Sequence, residues 1–128
     1  MAFKFQGIYP IGDADPQAMP VKDCDSAAKY YTEKLGFQIR ARITSPDRAI
    51  IVGRDNIDIR LVENGQDPLA HSCFIATDNV DAAYTYMQNL GLDISNRRTD
   101  RDGEDVYEVF FLKDPEGLCY CIGQSISA

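Results

Sequence analysis

What the chain has little of narrows its function first. Its 128 residues carry 13 basic side chains against 20 acidic ones, a net charge of −7. That shortage of basic residues argues against nucleic acid and against anionic membrane surfaces, so neither is expected as a partner. The start, Met1-Ala2-Phe3-Lys4-Phe5-Gln6-Gly7, has no long apolar run, so neither a signal peptide nor a transmembrane helix is expected. There is a single histidine, His71. No nucleophile–base triad, phosphate loop or glycine-rich dinucleotide fingerprint is present. Four cysteines without a signal sequence read as free thiols of a reducing compartment, which places the protein in the cytoplasm. Apolar content of 45% with 26% charged residues suits one soluble globular domain, spanning 1–128.

What is there is a repeat. Val21-Lys22-Asp23-Cys24-Asp25-Ser26-Ala27-Ala28 and Leu35-Gly36-Phe37-Gln38-Ile39 recur, 55 residues later and without a gap, as Ala76-Thr77-Asp78-Asn79-Val80-Asp81-Ala82-Ala83 and Leu90-Gly91-Leu92-Asp93-Ile94. Two similar modules are implied rather than a long solenoid. Each copy is a helix with readable ends. Asp23 or Asp25 caps the first and Asp78 or Asn79 the second, because a short side-chain oxygen accepts from the free N–H groups of the first turn. Ala27, Ala28, Tyr31 and Leu35 mark one buried stripe; Ala82, Ala83, Tyr86 and Leu90 mark the other. Gly36 and Gly91 supply the left-handed stops.

Strands are expected at 17–21, 38–43, 49–53, 57–63, 72–77, 93–99, 106–112 and 118–123, separated by turns such as Ser45-Pro46-Asp47 and Asp114-Pro115-Glu116-Gly117. Each half then reads strand–helix–strand–strand–strand. The modules cover 17–64 and 70–124, and residues 1–16 form an added strand or a packed arm. Alternation gives each sheet two unlike faces. Ile57, Ile59 and Leu61 oppose Asp58 and Arg60. His71 and Cys73 oppose Phe74. Leu118, Tyr120 and Ile122 oppose Cys119 and Cys121. The polar, thiol-bearing faces are expected to line a concave pocket. Which of Tyr107, Phe110 and Phe111 faces that pocket stays open.

Pro20-Val21-Lys22-Asp23, Tyr30-Tyr31, Leu35-Gly36-Phe37, His71-Ser72-Cys73-Phe74 and Asp114-Pro115-Glu116-Gly117 together resemble the vicinal oxygen chelate superfamily, over about Pro16 to Gln124. It includes glyoxalase I, extradiol dioxygenases and bleomycin-resistance proteins. The resemblance implies an α+β fold of two βαβββ modules forming a curved cup, and a homodimer. Metal-binding members place one ligand on the first and one on the last strand of each module. Here those four positions read Pro16, Arg60, His71 and Cys121. Proline has no donor side chain, and arginine stays protonated and repels a cation.

The expected function is therefore metal-independent binding of a small molecule, with no cofactor, no metal and no catalytic residue assigned. The candidate ligand-binding residues are Arg60, His71, Cys121, Asp58, Cys73 and Cys119. The alternative is a metal-dependent lyase, isomerase or dioxygenase using His71. A thiolate site from His71, Cys73, Cys119 and Cys121 and an accessory dimer without a ligand are further readings. Arg60 forms either a structural ion pair or the pocket's main positive charge. In the second case it favours an anionic or carbonyl-like ligand. The net acidity points instead to a cationic one, but surface charges beyond about 8–10 Å are screened.

Overall fold

Both repeated segments form helices, and the chemistry of their ends explains where. Helix α1 runs Cys24–Lys34, with the Asp23 carboxylate accepting from the backbone N–H groups of Asp25 and Ser26. Helix α2 runs Val80–Asn89, with Asn79 accepting from Ala82. Asp25 is instead held by Arg48 and Arg42, and Asp78 accepts from the Lys4 N–H at 2.7 Å. Gly36 and Gly91 stop the helices at φ +75° and +69°. The buried stripe of α2 differs from expectation. It is Val80, Ala82, Ala83 and Met87, whereas Leu90 is exposed and Tyr86 half-buried.

The computed structural model describes residues 2–126; Met1, Ser127 and Ala128, the ends of the expected 1–128 domain, lie outside the described residues. Its strands are β1 (Phe5–Ile11), β2 (Met19–Pro20), β3 (Gln38–Ile43), β4 (Ala49–Arg54), β5 (Ile57–Val62), β6 (Ser72–Thr77), β7 (Ile94–Asp102), β8 (Asp105–Lys113) and β9 (Cys119–Ser125). They form a four-stranded sheet in the order β2-β5-β4-β3 and a five-stranded sheet in the order β1-β6-β9-β8-β7. In each, the strand before the helix runs parallel to the last strand of its own half, β2 beside β5 and β6 beside β9. The result is the expected α+β fold of two βαβββ units. The strand expected at 17–21 shrinks to two residues around Pro20, which has no N–H to donate. Its line continues through Arg60 N–H donating to the Pro16 carbonyl and Val21 N–H to the Val62 carbonyl, both at 2.9 Å. The N-terminal segment supplies an added strand, β1, antiparallel to β6 with Tyr9 opposite Phe74.

One core lies between the sheets. It joins Ala27, Ala28 and Tyr31 of α1, Ala83 and Met87 of α2, Val52, Ile59 and Leu61 of the smaller sheet and Ile75, Phe110, Tyr120 and Ile122 of the larger. The helices touch, with Tyr86 Oη donating to the Lys34 carbonyl at 2.8 Å. Tyr31 of α1 reaches Tyr120 of β9 at 2.6 Å between hydroxyl oxygens. Because both sheets turn their helix-bearing faces to this core, their second faces are open and point away from it.

One expected face is reversed. Cys73 lies in the core with Ile75, its thiol 3.7 Å from the Met19 sulfur, and Phe74 takes the open side. Pleating requires Cys73 and Ile75 to share a face, and β6 has a helix to cover one face only, so the branched apolar Ile75 sets the phase.

Candidate functional site

The open face of the five-stranded sheet carries a groove of about 490 Å³, lined by Tyr9, Phe74, Ala76, Asp100, Asp102, Tyr107, Val109 and Cys121. Register builds it row by row. Tyr9, Phe74 and Cys121 are neighbours across β1, β6 and β9, and Phe111 of β8 follows them. Ala76, Gly123 and Val109 form the next row; Tyr107 and Asp100 meet between β8 and β7. Gly123 sets the depth at the centre. A Cβ there would come within 2.8 Å of both Phe74 and Val109, so any side chain would lift the Phe74 ring out of the floor.

The walls are aromatic. Phe74 meets Tyr107 edge-on with ring centroids 5.8 Å apart, and Tyr9 lies 6.5 Å away on its other side. Phe110 points into the core, whereas Phe111 shares the groove's side of the sheet beneath the Arg98 guanidinium, 5.0 Å from its ring. At the rim, Arg98 binds Asp100 through two nitrogens at 2.7 and 3.3 Å. Asp102 has no ion pair among the described residues.

The six expected site residues are not brought together. Cys121 lines the groove, and Cys119, two positions along β9, lies on the same side of the sheet. Burial pushes the Cys121 thiol up to about 11 and raises that of Cys119, so neither favours the reactive thiolate. Cys73 is a core residue. His71 sits at the entry to β6, its Nδ1 3.0 Å from the Asp67 carbonyl oxygen, and is not among the groove's lining residues. Asp58 and Arg60 belong to the open face of the other sheet. Asp58 is taken by Arg40 at 2.5 Å, and the Arg60 Nε is enclosed without a hydrogen-bond partner. Arg60 therefore forms neither the expected structural ion pair, among the described residues, nor a wall of this groove.

The residues present do not fit the metal centre found in part of the resembled family. Pro16 and Arg60 cannot ligate, and of the two remaining positions Cys121 lines the groove whereas His71 does not. Among the described residues no three His, Cys, Asp or Glu side chains are grouped to hold a metal ion. The residues missed by sequence reasoning are Tyr9, Phe74 and Asp102, while Tyr107, one of three aromatics left open there, lines the groove. Tyr9 lies in a segment outside the repeat, and the alternation read from the sequence alone puts Phe74 on the opposite side. The phase of Ile75 was the signal that would have found Phe74.

A solved glyoxalase/bleomycin resistance protein/dioxygenase from Alicyclobacillus acidocaldarius is similar at 20% identity and TM-score 0.72, over 91% of this chain and 93% of that one. TnmS3, an antibiotic binding protein from Streptomyces sp. CB03234, is similar at 22% identity and TM-score 0.67, over 90% and 97%. The bleomycin resistance determinant encoded on the transposon Tn5 shares 25% identity at TM-score 0.68, over 90% and 99%. No curated protein sequence matches. The profile of one family covers residues 14–121, both repeated halves, and the chain belongs to that family, the glyoxalase/bleomycin resistance protein/dioxygenase superfamily.

Proposed function

We propose that this protein binds a small molecule without a metal, in the aromatic groove of the five-stranded sheet. The observation that carries the reading is the groove itself: three aromatic rings and two small residues form an apolar trough with carboxylates at its rim. The similar TnmS3, named an antibiotic binding protein, and the similar bleomycin resistance determinant support it. The chemistry of the four metal positions supports metal independence. Cys121 contacts the ligand as a thiol, with Cys119 behind it. The protein acts as a homodimer in the cytoplasm. The groove is open on one side, and Asp58 and Arg60, on the other sheet, are not assigned to its ligand.

The test is a thermal-shift screen of small molecules, repeated on Phe74→Ala and run alongside light scattering for the oligomeric state. A ligand of this groove raises the midpoint of the wild type by mass action and raises that of Phe74→Ala less. A ligand that stabilises both proteins equally binds elsewhere and refutes the assignment.

A further inference from the structure

Resting on that reading of the groove, we propose that its ligand carries an alkylammonium group, seated on the rings of Tyr9, Phe74 and Tyr107 and balanced by the Asp102 carboxylate. The rings stand at different tilts around one space, Phe74 at 34° to Tyr9 and 77° to Tyr107. Such a cluster offers electron-rich faces from more than one direction, the arrangement that attracts a cation rather than an anion. The same side of the sheet already holds a cation in this way, the Arg98 guanidinium over Phe111.

Charge decides between an apolar and a cationic ligand. The Asp100 carboxylate is cancelled by Arg98, but Asp102, two residues further along β7, has no cation among the described residues. Asp105 stands opposite it in register and adds a second negative charge beside it. The groove thus holds an uncompensated carboxylate and, from its own chain, no uncompensated cation. An anionic ligand would meet repulsion from both the carboxylate and the ring faces. This reverses the expectation built on Arg60, whose guanidinium belongs to the other sheet.

The lining also selects among cations. Phe74, Ala76 and Val109 give the floor no acceptor for the N–H groups of a primary amine. Each buried N–H without an acceptor costs desolvation, whereas a fully alkylated ammonium has none to satisfy.

The experiment titrates the full-length protein with choline and with its neutral isostere 3,3-dimethyl-1-butanol, following NMR signals of Phe74, Tyr107 and Val109. Benzyl alcohol serves as a neutral aromatic control. Choline is expected to shift these signals with a Kd about tenfold below that of the isostere. Asp102→Asn should abolish most of that ratio, and the remote Asp47→Asn should keep it. Equal or tighter binding of the isostere, or a ratio unchanged in Asp102→Asn, overturns the alkylammonium assignment and leaves small-molecule binding standing. Unmoved groove signals with all three probes overturn both.

Discussion

Asp114 shows how much one side chain carries. It is 4% exposed, yet one carboxylate oxygen accepts from the backbone N–H groups of Glu116, Gly117 and Leu118 at 2.9–3.0 Å. The other accepts from Tyr31 Oη at 2.6 Å, and Tyr31 meets Tyr120. The turn of β9 is thereby tied to α1, across the two halves of the chain. Burial pushes the Asp114 carboxyl above its ordinary range although all these donors pull the other way, and it holds both phenols well above theirs. Asp114→Ala strands three N–H groups and a phenol inside the protein, so a loss of about 3 kcal/mol or more is expected. Tyr31→Phe keeps the turn intact and should cost about 1–2 kcal/mol. Urea denaturation of the two variants ranks them, and the reverse order would show that the turn is held by other contacts. Arg60 is the opposite case, a buried Nε without an acceptor. Arg60→Met removes an unsatisfied donor and keeps the stem's packing, so its melting midpoint should match or exceed that of the wild type. A fall would show that a second copy supplies the acceptor.

At the scale of elements, α1 begins inside a lattice of charges. Asp25 pairs with Arg48 and Arg42, and Glu63 accepts from the Cys24 N–H at 2.9 Å and from Arg48 at 3.2 Å. The Arg48 hydrogen bond holds the Asp25 carboxyl below its ordinary 3.8, and the Cys24 N–H holds that of Glu63 below its ordinary 4.5. Both folded values are depressed. The stability these groups add is therefore present above their ordinary values and lost as pH falls through the depressed ones. Arg48→Met should lose less stability than the wild type between about pH 6 and about pH 3. Parallel acid limbs in chemical denaturation would refute a role for Arg48. Elements of this kind were legible in the sequence because their signals are local. Asp23 and Asn79 at the caps, Gly36 and Gly91 at the stops and Ile57-Asp58-Ile59-Arg60-Leu61 alternating along β5 each state their own structure. The stripe of α2 and the sides of β6 were misread where locality ends. Whether Met87 or Tyr86 turns inward, and whether Phe74 or Cys73 does, depends on the neighbouring sheet and helix rather than on spacing within the segment. Strand β1 shows the same limit. Arg54 of β4 fastens its start, with the guanidinium 4.9 Å from the Phe5 ring and 4.3 Å from that of Phe3, while donating to the Phe3 carbonyl ahead of the strand and to the Leu35 carbonyl at the end of α1, both at 2.9 Å. That clamp joins positions 51 residues apart, which periodicity within a segment does not reveal.

For the whole molecule, the arrangement of the two sheets decides what the family positions do. Arg60 and Cys121 each lie on the last strand of a half and each on an open face. The repeat does not reveal that both open faces turn away from one shared core, and that fact separates the two residues within a chain. A divalent ion needs its donors to converge within about 2.0–2.6 Å of one point. Of the four positions, Pro16 and Arg60 offer no donor. That leaves His71 at the entry to β6 and Cys121 in the groove, two donors where a divalent ion needs at least three from the protein. Zinc, nickel or manganese added in modest excess should therefore leave the melting midpoint unchanged, and exhaustive dialysis against chelator should alter neither the midpoint nor the affinity for a groove ligand. Mass action makes this a sensitive check, because an ion binding the folded protein at a hundredth of its free concentration adds about 2.7 kcal/mol. A midpoint raised by one of these ions and restored to baseline in His71→Ala would establish a metal centre around His71 and with it the lyase, isomerase or dioxygenase reading.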